Sequence, residues 1–458
     1  MSMADFQQKT VARLPPLATL MMVAVVTPAF FYLGPVLLTP SRLILFVATP
    51  IIFFRLLSGA YGGVLLNDVL MFMFTLWMSL AMVVNNPDRA IEFLGMQITT
   101  ILGSYLVARA TITSKENFYG FVKLYVLIIV VLFPFAVFEA VTGGFIIPKI
   151  LSALPGISSA TDVHYERRLG LDRAQVVFTH PIHWGLYCSG AFALLFTAMK
   201  NVIPDFRRLF LCGVIVAACF MAVSSGPMLS LIFQLMLIGY GFVTRKIEKQ
   251  WKLLLWGCAA AYVVLELASS YPIVYVMVTK IALDPWTATY RGLIFIYGMA
   301  QVEQAPILGI GLDDWERPAW MPPSIDNHWL LMAIQFGIPA FVMLFAVFVN
   351  SMARAGGGRF RRGSELYNIR LGWNFVLFSL ILTLATVALF GELTAITFFI
   401  LGAGGFLFYA EEDDPTVEKR PEAPRRRAVL GDIAAGAGSG APPAPVAPAP
   451  AKGRRTVL

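Results

Sequence analysis

Apolar runs long enough to cross a bilayer recur about twelve times between residues 17 and 410, and no other feature limits the fold so tightly. They lie at roughly 17–38, 43–57, 69–84, 91–108, 119–141, 182–199, 209–223, 227–244, 253–277, 328–350, 371–389 and 393–410. Backbone groups in hydrocarbon find no water, so each run must satisfy its own amides, and the pattern reads as helices with nothing pointing to a β-barrel. The second and third runs are short. With 58% hydrophobic and 14% charged residues, the chain is not a soluble domain, a disordered chain or a secreted disulfide scaffold. The four cysteines, Cys188, Cys212, Cys219 and Cys258, lie apart in apolar runs and read as small buried residues.

Charge orients the runs. With the N-terminus inside, 24 of the 35 Lys and Arg fall on inner segments and nine on outer ones (Arg42, Arg89, Lys149, Arg167, Arg168, Arg173, Lys280, Arg291 and Arg317). Arg55 and Lys123 lie near inner helix ends, where they snorkel. The inside excess of cations places both termini in the cytoplasm. Residues 1–16 are polar and enter the first run without a small-residue cleavage site, as an uncleaved first span does. Residues 17–410 form the membrane domain. From 411 to 458 a mixed charge run gives way to Pro/Ala/Gly-rich sequence that cannot bury a core, a disordered cytoplasmic tail.

Seven outer cations lie in two long loops, about 142–181 and 278–327. Long loops escape the charge rule, and in compact proteins they tend to carry function. The second loop opens with Asp284-Pro285, a helix-start signal. Tyr290, Leu293, Ile294, Tyr297 and Ala300 then recur at helical spacing, predicting an amphipathic helix that carries Arg291. A turn through Pro306, Gly309 and Gly311 follows, read as a plain turn rather than a phosphate loop. Asp326 and His328 come at the mouth of the next span, where an acid or imidazole either caps the helix or does chemistry. The first loop presents Arg167, Arg168, Arg173, His180 and His183. Guanidinium forks suit phosphate oxygens; the plainer reading is salt bridges to Asp162, Glu166 and Asp172. Two histidines without a third ligand do not make a metal site. Glu139, Glu266 and Glu392 are candidate sugar contacts.

The run Asp326-Asn327-His328-Trp329-Leu330, with Gly337 beyond it, resembles the signature of the O-antigen ligase and polymerase (Wzy-type) family of bacterial membrane glycosyltransferases, which reads His-Asn, an aromatic, Leu and a later Gly. Arg291 upstream and Pro306-Ile-Leu-Gly309-Ile-Gly311 match further parts. Aligned without gaps, the family's usual His falls on Asp326, and Ser224-Ser225-Gly226 stands where the family often has Ser-Arg-Gly. The His180-Pro181-Ile182 stretch, with Arg168 and Arg173, is similar to the exopolysaccharide-polymerase branch. The resemblance implies an all-α polytopic inner-membrane protein, GT-C-like, with about twelve spans and the two large loops in the periplasm. It implies an undecaprenyl-pyrophosphate-linked glycan donor, a glycan or lipid A-core acceptor, and inverting transfer without metal or other cofactor. Membrane lipids, a flippase and a chain-length regulator are further expected partners; nucleic acid is not.

In that chemistry the leaving pyrophosphate needs fixed cations, for which Arg291, Arg168 and Arg173 are candidates with His180 beside them. The acceptor hydroxyl needs a base: Asp326 first, His328 second. Polymerase is preferred over ligase because of the absent Ser-Arg-Gly and the His180-Pro181-Ile182 run. A transporter or lipid-linked sugar flippase fits less well, since the chain has no evident internal repeat and its candidate residues sit at the outer surface rather than the midplane. A scaffold without chemistry is the remaining alternative.

Overall fold

A computed structural model describes residues 14–33, 36–159, 165–269, 285–355 and 360–412. It is almost wholly helical. The first apolar run departs from its expectation of one span: α1 (Pro16–Val25) ends after ten residues, and the chain continues as β1 (Ala29–Leu33) and β2 (Val36–Leu38). Pro28 has no amide hydrogen with which to extend the helix, which ends at Val25. β1 pairs antiparallel with β2 and, on its other edge, with β3 (Ser158–Ser159).

The next two runs, short in sequence, are full-length helices: α2 (Pro40–Leu57), started by the Thr39 side chain accepting the Arg42 amide, and α3 (Leu66–Asn85). Then come α4 (Pro87–Thr111, with a π turn at Thr99–Gly103), α5 (Lys115–Thr142, ended by Gly143 in the left-handed region) and the short α6 (Ile146–Ser152). α7 (Pro181–Ala193) runs on as a π turn, Leu194–Ala198. The series continues with α8 (Asp205–Phe220), α9 (Ser225–Val243), α10 (Gln250–Ala268), α11 (Pro285–Gln304), α12 (His328–Ala355), α13 (Glu365–Thr383) and α14 (Glu392–Ala403) with its 3-10 extension Gly405–Phe408.

Among the described residues, eight helices are long and apolar enough to cross a membrane: α2–α5, α9, α10, α12 and α13. The protein is a multi-pass membrane protein. Its core carries Phe118, Phe121, Tyr125, Trp184, Trp373 and Phe399, all fully buried. Their polar handles are satisfied inside it: Trp184 donates to the Ala218 carbonyl (2.8 Å), Trp373 to that of Ile400 (2.7 Å) and Tyr125 to that of Tyr187 (2.6 Å). α10 differs in keeping almost its whole surface outside this core. Cys258, expected to be buried, lies exposed on it, whereas Cys188, Cys212 and Cys219 are buried.

Connections gather at two ends. At the short-loop end Arg109 donates to the carbonyls of Tyr61 and Gly63, Lys115 pairs with Glu365 (2.9 Å), and Arg362 donates to those of Arg245, Ile247 and Glu248. At the loop-rich end the Asp172 amide donates to the Ala140 carbonyl, the Ala174 amide to that of Met221, and the His328 amide to that of Leu384. The expected N-terminal segment, apart from residues 14–16, and the expected tail, apart from 411 and 412, lie outside the described residues.

Candidate functional site at the loop-rich end

The second loop is built around α11. Its buried side carries Arg291, Ile294, Gly298, Gln301 and Val302, while Ala300 is exposed, so the apolar stripe read from sequence is rotated by about a residue. Part of that side faces α12: a Cβ on Gly298 would meet the Leu330 side chain at 2.6 Å, so a larger residue there would push that side chain aside. Gln301 accepts the Glu316 amide, Tyr290 donates to the Pro322 carbonyl, and Arg317 is spent on Asp314 and on the carbonyls of Trp315 and Met321. The N-cap expected at Asp284 lies outside the described residues.

The Pro306–Gly311 turn has a structural use. Gly337 (φ 82°) breaks α12 and frees carbonyls. The Ile310 amide donates to Ile334 O, the Gly311 amide to Gln335 O and Trp77 Nε1 to Phe336 O, while the Ile338 amide donates to Pro306 O. The Gly309 amide goes to Ala305 O and the Leu312 amide to Asn86 Oδ1. With every amide from Gly309 to Leu312 committed, this turn cannot cradle phosphate. A Cβ on Gly337 would stand 1.9 Å from Ile307 O, which explains the glycine.

Arg291 is 6% exposed, and its Nε has no hydrogen-bond partner. Burial lowers its pKa, Asp326 opposes that, and Arg168 of the first loop lowers it further. Asp326 lies half-buried; burial holds its carboxyl above the usual range and Arg291 pulls it back. The two feel each other without closing a salt bridge among the described residues. Arg173 is lowered to about 10 by burial and by Arg168. Its guanidinium stacks on Tyr165 (5.5 Å) and donates to the Ala222 carbonyl (3.4 Å), at the turn before Ser224-Ser225-Gly226. The two loops therefore bring Arg168, Arg173, Arg291 and Asp326 into one electrostatic neighbourhood.

The salt bridges expected of the first loop form only at Arg167, which takes Asp172 (2.7 Å); Asp162 lies outside the described residues, and neither Arg168 nor Arg173 joins a salt bridge among those described. Glu139 is buried and accepts the amides of Gln175 and Val176, holding the loop with Val176 at φ 58°. Glu392 accepts from Ser41 (2.6 Å), and Glu266 lies exposed on α10.

The histidines divide by tautomer. His180 accepts the Ile182 amide on Nδ1 (3.1 Å), capping α7, so its neutral ring carries the proton on Nε2. Burial and Arg173 lower its pKa to about 4, so it is a neutral donor and adds no cation. His328 is 4% exposed and accepts the Leu389 amide on Nδ1 (3.4 Å); its Nε2 has no partner. An imidazole so held donates through Nε2, and the helix cap is Asn327, whose Oδ1 accepts the Leu330 amide. Asp326, next to it in sequence, forms no salt bridge among the described residues. No three His, Cys, Asp or Glu side chains gather in metal-binding geometry among the described residues.

Sequence reading missed the turn between α13 and α14. Leu389 binds His328, and Phe390 rests on His183 (3.8 Å between ring centroids). Only folding joins residues that far apart in the chain.

Residues 210–345 match the family model described as O-antigen ligase, a stretch that contains Arg291, Pro306–Gly311, Asp326, His328 and Gly337. The match supports the O-antigen ligase/polymerase-type family that the signature resembles. Arg168, Arg173 and His180 lie outside it. No curated protein matches the chain.

Proposed function

We propose that this chain, with its O-antigen ligase-type region at residues 210–345, is an inner-membrane glycosyltransferase that polymerises undecaprenyl-pyrophosphate-linked repeat units of an exopolysaccharide or O-antigen. The loop-rich end faces the periplasm and both termini the cytoplasm, and the chain crosses about twelve times. One observation supports the reading: Arg168 acts on both Arg173 and Arg291, and Asp326 beside Arg291 closes no salt bridge with them among the described residues, an excess of positive charge suited to pyrophosphate oxygens.

The step balances with these residues. The acceptor hydroxyl oxygen attacks the anomeric carbon, and Asp326 takes the hydroxyl proton. The bond from that carbon to the pyrophosphate oxygen breaks, and the leaving diphosphate keeps the electron pair. Arg291, Arg168 and Arg173 hold that charge without metal, and attack opposite the leaving group inverts the centre. His328 and His180 donate through Nε2 to substrate oxygens.

The description of the matched family favours a second reading, ligation of the finished glycan to lipid A-core. Deleting the gene and sizing the surface polysaccharide separates the two. Single repeat units left on lipid establish the polymerase; full-length chains stranded on the carrier establish the ligase. Unchanged surface polysaccharide overturns both.

A further inference from the structure

Phe390 stands out at the loop-rich end. It is 46% exposed, although its turn is held from both sides by buried imidazoles. His183, 1% exposed, lies 3.8 Å from its ring centroid, and His180 meets it edge-on at 6.1 Å. The preceding Leu389 amide is bound to His328, and Gly391 follows at φ 56°, turning the chain into α14. A phenyl ring so fixed has lost its freedom before any ligand arrives. Nε2 of His183, beside that ring, and Nε2 of His328, whose Nδ1 binds the neighbouring Leu389 amide, are buried with no hydrogen-bond partner among the described residues. Leaving such groups unmet costs about 1–3 kcal/mol each, a burden kept where a ligand relieves it.

From the geometry we infer that Phe390, with His183 and His328, forms a sugar-ring subsite next to the arginine cluster. It takes one pyranose or furanose ring of the glycan, whose C–H face lies on the phenyl ring and whose hydroxyls meet the imidazole nitrogens. An isoprenoid chain would match a wholly apolar wall; the polar nitrogens flanking this ring favour a sugar. The inference rests on the glycosyl-transfer reading and adds a third wall, from the α13–α14 turn, to a site otherwise built from the two long loops.

The test uses the purified full-length chain in detergent and, as probe, lipid-free oligosaccharide released by mild acid from the host's own surface polymer. Saturation-transfer NMR reads binding. Phe390→Leu keeps an apolar side chain without a π face, and Phe390→Trp keeps the face. Weakening of at least tenfold in Phe390→Leu, with binding within about threefold of wild type in Phe390→Trp, supports the subsite. Equal binding by wild type and Phe390→Leu overturns it, as does equal loss in both variants at unchanged melting temperature. Retained sugar binding with weakened use of the lipid-linked donor in Phe390→Leu assigns the ring to the isoprenoid and also overturns it. Arg291→Ala separates this inference from its premise. If Arg291→Ala transfers normally, the transfer reading falls; if it is inactive while Phe390→Leu binds as wild type, only the subsite falls.

Discussion

The two ends of the helix bundle use arginine in opposite ways. At the short-loop end Arg109 lies 3.7 Å from Asp68, whose carboxylate also accepts Tyr105 OH (2.6 Å) and the Leu65 amide, and the guanidinium caps the carbonyls of Tyr61 and Gly63. Arg208 is shared between Asp205 and the Lys200 carbonyl. At the loop-rich end Arg168 acts electrostatically on both Arg173 and Arg291, Arg291 also feels Asp326, and none of these four joins a salt bridge among the described residues. A closed network holds helices together, whereas charge of one sign gathered without neutralisation is ready for a ligand. Arg370 blurs the contrast: it is buried between Tyr367 (4.8 Å) and Phe360 (5.9 Å), with Nε and Nη1 unbonded, at the otherwise closed end.

The contrast breaks most sharply at Asp326. Asp326→Asn should lower transfer of lipid-linked repeat units in proteoliposomes by about 10²–10⁴-fold, and Arg291→Ala by about 10²–10³-fold, with melting temperatures near wild type. Normal polymer from both, with the protein present, would dismiss the site assignment. Arg109→Ala should do the reverse, costing about 3–5 kcal/mol of stability by stranding Asp68 while transfer per folded molecule stays intact. A smaller effect is expected of Arg173→Lys, which keeps the charge but loses the planar fork: about tenfold in kcat/KM, or about 1.4 kcal/mol. A drop matching that of Arg291→Ala would show that Arg173 does more than add charge.

The pH profile gives the finest test. Asp326 accepts a proton only when ionised, and burial raises its pKa, so kcat/KM should fall on acidification at a pH above the usual carboxylate range. His180, lowered to about 4, is neutral throughout that range, so His180→Gln should leave the acid limb where it is. A shift of the limb in that variant would mean that His180 titrates in the working enzyme.

Much of this was legible in the residues. Apolar run length announced the membrane helices, because it follows from the solvent around each segment. Arg291 and Asp326 could be singled out because charge at a span mouth is conspicuous. The first run misled because length and hydropathy ignore Pro28, which stops α1 and leaves apolar residues to a hairpin. The stripe on α11 misled because a buried arginine and two small glycines carry no hydrophobic signal, yet they occupy its inner side. Phe390 was invisible because its role depends on neighbours some 60 and 200 positions away, and such pairings are decided by packing.

The seam at Gly337 has a consequence for how the molecule matures. The turn bearing Pro306 and Gly311 borrows its acceptors from a fractured bilayer helix and from the Asn86 side chain at the top of α3. It can settle only after both helices have been inserted. The segment is therefore no detachable ectodomain: cut free and expressed in water, residues 285–327 would have amides with nothing to bind and should not hold the conformation they have here.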